Sequence, residues 1–278
     1  MQAFSIFAPA KVNLALHVLG RREDGYHDLD SVVAFADAGD WLHFSPAREF
    51  AITAQGPFAG ALPQASGNII AKAWEAVSAI ASSRGAALPP TAVHLEKNLP
   101  VASGIGGGSS NAAAAIKGFL TCAGLTQHDP AVLAAALRIG ADVPVCLTGR
   151  ACRMRGVGEV IAPLDGFAPR HALLVNPMIE VSTPQVFAAL GLARGERFGA
   201  AIADVRDPAC WRNDLAAPAV TLAPVIGEVL KRLAAAPGVT RVFMSGSGAT
   251  CVALCEEKAD PRRFDLDPSW WRAPATLA

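Results

Sequence analysis

The chain has 278 residues, enough for one large domain or two of ordinary size. Formal net charge is zero and charged residues make up 17%, which argues against a nucleic-acid binder with a broad basic surface. Hydrophobic residues reach 52%, much of it alanine, and no apolar run attains the ~18 residues of a membrane span. The N-terminal stretch lacks a basic segment and is broken by Pro9 and Lys11, so no signal peptide is expected. The six cysteines follow no metal spacing, and Cys122, Cys146 and Cys152 read as core thiols. These bounds predict a reduced, cytoplasmic, soluble α/β protein without a structural metal, nucleic acid or membrane as partner.

Phe4 to Ala8 reads as a strand. After Pro9, Lys11 to Val18 alternates with period two, so Val12, Leu14, Leu16 and Val18 share one face. Lys11, Asn13, Ala15 and His17 share the other, and His17 reads as part of a solvated strand face. A polar turn through Asp24 and Gly25 presents Tyr26, the only tyrosine, beside His27. An aromatic ring next to an imidazole can stack on a base and bond its edge. Strands follow over Ser31–Ala38, Trp41–Ser45 and Phe50–Ala54.

Asn68 is placed to cap a helix reaching about Arg84, with Ile70, Ala73, Trp74, Val77, Ile80 and Ala81 as its apolar stripe and Gly85 as its stop. Val93 and Leu95 then alternate with His94 and Glu96 in a strand that delivers the chain to Leu99–Ala115. There four glycines fall within five residues, Gly104, Gly106, Gly107 and Gly108, each costing backbone entropy and supplying no side chain. They supply close backbone approach and inward-turned N–H groups. Ser109 or Ser110 is placed to cap an Ala-rich helix over Asn111–Thr121, ending near Gly124. A glycine loop feeding a helix N-terminus holds phosphate. Ser109 stands where the P-loop needs lysine and where the dinucleotide pattern needs glycine, so this is neither of those loops.

A helix over Pro130–Ile139 closes at Gly140, and Asp142 follows as an isolated carboxylate in Gly140-Ala141-Asp142-Val143-Pro144. Strands are expected at Ala151–Arg155, Val160–Pro163 and His171–Asn176. Thr183 reads as an N-cap with Pro184 at the first helical position, in a helix running through Phe187 and Leu190. Gly191 to Cys210 is weakly patterned and reads as mobile. A helix over Thr221–Ala235 turns Leu222, Val225, Ile226, Val229 and Leu233 inward. Arg241–Met244 and Cys251–Leu254 read as strands joined by Ser245-Gly246-Ser247-Gly248-Ala249-Thr250. The Trp270-Trp271 tail reads as a last strand or docking segment.

Pro100 to Ala113 resembles the phosphate loop of the GHMP kinases, the family of galactokinase, homoserine kinase and mevalonate kinase, with Ile105 where the family usually has leucine. Pro9-Ala10-Lys11-Val12-Asn13-Leu14 resembles its first motif, Gly140 to Pro144 the segment with its catalytic aspartate, and Ser245 to Thr250 its third motif. Asn213-Asp214-Leu215 resembles a short motif whose role reads as structural. Asp24 to Leu29 is similar to the cytosine-recognising segment of one branch, which acts on a cytidyl-diphosphate-linked methylerythritol in non-mevalonate isoprenoid synthesis.

The resemblance implies an α/β (α+β) fold of two domains with the active site in the cleft between them. It implies an ATP-binding domain over residues 1–150 and a substrate-binding domain over residues 151–278. It implies transfer of the ATP γ-phosphoryl group to the acceptor's 2-hydroxyl, with Lys11 and Asp142 as catalytic residues. Asp142 would orient the hydroxyl and accept its proton; Lys11 would keep Asp142 ionised and offset phosphate charge. ATP would be held by Pro100, Gly104, Gly106, Gly107, Gly108, Ser109, Ser110 and Asn111, and the acceptor by Asn13, Tyr26, His27, Thr183 and Phe187, with Tyr26 and Phe187 sandwiching the cytosine. Mg²⁺ would accompany the nucleotide, with Ser110 as a candidate ligand, and the protein would be a monomer or homodimer. A different small-alcohol acceptor, or a non-catalytic nucleotide-binding regulator on the same fold, are the alternatives.

Overall fold

The computed structural model describes residues 2–62, 67–127 and 129–278. In chain order its elements are β1 (Phe4–Arg21), β2 (His27–Pro46), β3 (Ala51–Gln55), α1 (Ile69–Ser83), β4 (Thr91–Glu96), α2 (Gly107–Ala123), α3 (Pro130–Ile139), α4 (Val143–Thr148), β5 (Cys152–Gly156), β6 (Val160–Pro163), β7 (Arg170–Asn176), α5 (Thr183–Ala188), α6 (Ala216–Leu222), α7 (Val225–Ala234), β8 (Val239–Met244), β9 (Cys251–Cys255) and β10 (Trp271–Leu277). The chain forms two compact units, each assembled from separate stretches. The first comprises Met1–Ala10, Gly39–Val101 and Gly107–Gly149; the second comprises Lys11–Ala38, Ala102–Gly106 and Arg150–Ala278.

In the first unit, the Trp41–Pro46 part of β2 pairs antiparallel with β4, and β3 pairs parallel with β4. Helix α1 packs on α2 and α3, and α4 packs on α2 and α3. As the sequence predicts, Asn68 accepts a hydrogen bond from the Ile70 amide, and Ile70, Ala73, Val77, Ile80 and Ala81 are buried. The core is partly aromatic: Phe50 stacks on Trp74 with centroids 4.5 Å apart, and Phe119 of α2 meets the Trp74 and Phe44 rings edge-on. Gly118 lets α2 approach, because a Cβ there would run into the Phe44 ring.

In the second unit, β10, β7, β9 and β8 form an antiparallel run, and β5 pairs with both the start of β2 and β6. The tail is thus a last strand, paired with β7 along its length and with β2 at Leu277 opposite Ala36. Helix α7 turns Ile226, Val229 and Leu233 onto this sheet.

Several expectations are corrected. Strand β1 runs unbroken through Pro9, and both of its faces are buried from Ala10 to Val18. His17 is therefore in the interior, 2% exposed, with its ring nitrogens 3.0 and 3.2 Å from the Ala200 and Cys210 carbonyls. The helix expected over Thr221–Ala235 is two helices divided at Pro224, whose missing N–H interrupts the ladder, and Leu222 is exposed. The Gly191–Cys210 stretch has little regular structure but is tied down. Amides of Gly195, Phe198 and Gly199 donate to the Arg21, Leu19 and Val18 carbonyls, and the Arg21 amide donates to Glu196 O. Backbone bonds to β1 hold this stretch without any hydrophobic period in its own sequence.

Candidate active site

Three segments far apart in sequence meet around the first half of the glycine loop. The Lys11 amide donates to Ile105 O at 2.9 Å and the Thr250 amide to Ser103 O at 3.1 Å. Ser245 Oγ donates to Gly104 O at 3.0 Å and accepts from the Asn13 amide at 3.1 Å. Gly104 (φ +76°) leaves no room for a side chain, since its Cβ would lie 2.5 Å from Gly248 O and 2.7 Å from Ser245 O. Gly106 (φ +63°) lies against the Lys11 stem, with a Cβ there 3.1 Å from Lys11 Cβ and Cε. These two positions, and not Gly107, require glycine for its backbone freedom.

Lys11 is 3% exposed and its Nζ donates to Asn13 Oδ1 at 2.8 Å. Asn13 Nδ2 donates to Ser31 Oγ at 2.7 Å, and that hydroxyl donates to Ala15 O. Because Ser31 spends its only proton on Ala15, it can only accept from Asn13. The amide is thereby oriented with its oxygen toward the ammonium.

The second half of the loop is already helix. Helix α2 starts at Gly107, so Ser109 and Ser110 lie in its first turn and are not its caps. Ser110 is buried, and its hydroxyl donates to Pro9 O at 2.6 Å, fastening α2 to β1. A Cβ on Gly108 would meet only open space, leaving the helix N-terminus approachable there. Asn111 is 2% exposed and its Oδ1 has no hydrogen-bond partner, an unmet acceptor one turn into the helix. Pro100 is buried in the turn entering the loop.

Behind Gly107 lies an ion pair. Lys97 Nζ, 3.3 Å from where a Gly107 Cβ would stand, donates to Asp40 Oδ2 at 2.6 Å, and both side chains are buried. Asp40 Oδ1 accepts the Asn98 and Leu99 amides at 2.7 and 2.8 Å, shaping the turn before the loop. Burial pushes the Lys97 ammonium below its ordinary pKa, and Asp40 opposes that shift. Asp142 occupies the N-cap position of α4 without capping it through its side chain.

The candidate acceptor residues lie in the second unit. Tyr26 is 65% exposed. His27 stacks on Phe187 of α5, centroids 4.6 Å apart and planes 28° apart, so the stacked pair here is His27–Phe187. His27 Nε2 is buried without a partner. Burial, and secondarily the nearby Arg21 charge, hold His27 below its usual pKa. Ser182, not Thr183, is the N-cap of α5. The Thr183 hydroxyl instead bonds Ser247 Oγ at 2.6 Å, leaving it no reason to turn back on its own helix.

A family model described as the GHMP kinases N terminal domain matches residues 68–150, and one described as GHMP kinases C terminal matches residues 194–264. The chain is 46% identical over 292 residues to the 4-diphosphocytidyl-2-C-methyl-D-erythritol kinase of Paramagnetospirillum magneticum, covering 100% of this chain and 99% of that one. The chain belongs to the GHMP kinase family. A kinase of the same name from Cereibacter sphaeroides is 45% identical, with 98% of each chain covered. Among crystal structures, a 4-(cytidine 5'-diphospho)-2C-methyl-D-erythritol kinase is 33% identical with TM-score 0.78, covering 99% of both chains. Homoserine kinase from Cytophaga hutchinsonii, at 16% identity and TM-score 0.68 over 100% of this chain and 95% of that one, shares the fold.

In this GHMP kinase the Asn213 motif is structural, as expected. Asn213 Nδ2 donates to the Met244 and Gly246 carbonyls, and Asp214 accepts the Val18 amide. Sequence reasoning missed the Lys97–Asp40 pair, the Ser31 link and Arg21. A lone lysine and a lone aspartate at strand ends look like solvated charges, and only their 57-residue spacing closing in space makes them a pair. Among the described residues no group of three or more His, Cys, Asp or Glu could hold a metal ion. Ser109 and Ser110 in the first turn of α2 and Asp142 at the start of α4 carry oxygen atoms of the kind a hard cation takes.

Proposed function

We propose that this chain transfers the γ-phosphoryl group of ATP to the 2-hydroxyl of 4-diphosphocytidyl-2-C-methyl-D-erythritol. The observation that carries the reading is full-length identity of 46% to a kinase of that name. The stacked His27–Phe187 pair with its unmet ring nitrogen supports it, since a pyrimidine edge supplies the missing partner. Neither the regulator nor another alcohol acceptor is favoured by any feature of the site.

Phosphoryl transfer passes through a loose transition state, so positioning and charge neutralisation carry most of the catalysis. The loop amides and the α2 N-terminus bind the nucleotide phosphates. Lys11, oriented through Asn13 and Ser31, offsets charge on the transferred group. Asp142 orients the hydroxyl and takes its proton as the P–O bond forms; a carboxylate cannot deprotonate an alcohol beforehand. Mg²⁺, carried by the phosphates, would supply further charge neutralisation, with Ser109, Ser110 and Asp142 the oxygen donors nearest in sequence to that role. On this reading residues 1–150 serve chiefly the nucleotide and 151–278 the acceptor, with Tyr26 and His27 contributed to the second unit by the N-terminal hairpin.

The test is ADP release by the purified protein with ATP and the cytidyl-linked acceptor, set against free methylerythritol, mevalonate and homoserine. Turnover confined to the cytidyl-linked alcohol is expected; equal turnover with an acceptor lacking the base would overturn the assignment.

A further inference from the structure

The two rings of the candidate acceptor site come from different places: His27 from the start of β2 and Phe187 from α5. Arg21, the last residue of β1, bridges them. Its Nη1 donates to Leu192 O at 2.9 Å, and its Nε to Gly25 O at 3.4 Å. Leu192 follows α5 after a tight turn at Gly191 (φ +71°), and Gly25 directly precedes Tyr26. The backbone is bonded on both sides as well, Arg21 N to Glu196 O and Gly195 N to Arg21 O, each at 2.8 Å.

We propose that Arg21 is a positioning residue of the acceptor site, its guanidinium fork joining the turn that bears Tyr26 and His27 to the chain leaving the helix that bears Phe187. The inference rests on the reading of those rings as the place where the acceptor's base binds. A planar fork can serve two carbonyls at once, which a lysine head cannot do with the same geometry.

The same cation acts on His27. Of the other charges around the turn, Arg22 pairs with Asp24 at 3.1 Å and Glu159 at 4.0 Å, Arg194 donates to Glu23 O and Glu196 accepts the Ala193 amide, while Asp28 and Glu23 are the remaining carboxylates of the turn. Phe187, packed on the ring, is uncharged. Arg21 adds to burial in keeping the imidazole neutral, and a neutral ring meets the base without a second buried cation beside the guanidinium.

The experiment is steady-state kinetics of the full chain with ATP and the cytidyl-linked acceptor across about pH 5.5 to 8.5, where histidine titrates. Arg21→Gln is expected to raise the acceptor KM about tenfold with the ATP KM unchanged. The midpoint of acceptor kcat/KM should move to higher pH, as the field on His27 is lost. Arg21→Lys keeps the charge but not the fork, so its KM should rise while the midpoint stays. His27→Gln should abolish the midpoint in either background. Wild-type KM and midpoint in Arg21→Gln, or equal losses toward ATP and acceptor, overturn the proposal. Should Arg21→Gln fail to fold, an unchanged acceptor KM in Arg21→Lys overturns it alone. A wild-type protein inactive on the cytidyl-linked acceptor removes the functional reading and this inference with it; an active one with indifferent Arg21 variants removes only the inference.

Discussion

Three residues carry the sharpest tests. Asp142→Asn preserves shape and, because the native carboxylate makes no cap bond to α4, should leave the fold intact. Turnover is expected to fall by about 10²–10⁴ with ATP affinity unchanged, read by single-turnover kinetics and calorimetry. Gly106→Ala introduces a Cβ at φ +63° and 3.1 Å from the Lys11 stem. It should cost roughly 1–2 kcal/mol of stability and displace the ammonium, so kcat falls more than melting temperature alone explains. Tyr26 is the exposed aromatic of the acceptor turn, and Tyr26→Ala should weaken cytidine diphosphate binding by about one to two decades while sparing ATP. Equal cytidine diphosphate affinity in both proteins would place the base elsewhere.

Helix α2 shows how an element can be read correctly as to kind and wrongly as to its start. The Ala-rich run and Gly124 (φ +67°) mark its body and end, whereas the serines look like caps. The helix nevertheless begins at Gly107: the Ser110 hydroxyl is bonded to Pro9 O, and Gly106, at φ +63°, is the non-helical residue before it. Its approach to the loop is braced by the Lys97–Asp40 pair, in which both partners are withdrawn from water. Lys97→Met leaves the Asp40 carboxylate buried against two amides only. We expect a loss of about 3–5 kcal/mol in chemical denaturation, with much of it restored in the double variant Lys97→Met/Asp40→Asn. A loss below about 1 kcal/mol would show that the pair merely replaces hydration.

At the scale of the molecule, pH dependence follows from a second ion pair, between the buried Asp30 and the half-buried Arg153. Burial alone would raise Asp30, but two hydrogen bonds from Arg153 at 2.8 and 2.6 Å and one from the Ile202 amide hold its carboxyl below the ordinary range. A depressed carboxylate stabilises the fold above its unfolded pKa of about 3.9, and that contribution is lost as pH falls through the lower folded value. Arg153→Met removes the compensation, so burial lifts the Asp30 carboxyl; the variant should be destabilised most near neutral pH and lose less stability than the wild type as pH falls, as followed by melting temperature between about pH 7 and pH 3. An unmoved acid limb would exclude Asp30 as its source.

The amino-acid sequence by itself determined the family, the alternation of β4, the α1 stripe and the glycine loop, because each is written in local spacing or a contiguous motif. Tertiary structure alone decided that His17 is interior, that Lys97 meets Asp40, that Arg21 spans Gly25 and Leu192, and that His27 rests on Phe187. Those facts depend on which distant backbone carbonyl or ring is brought alongside, and a buried polar side chain takes whichever partner the packing presents.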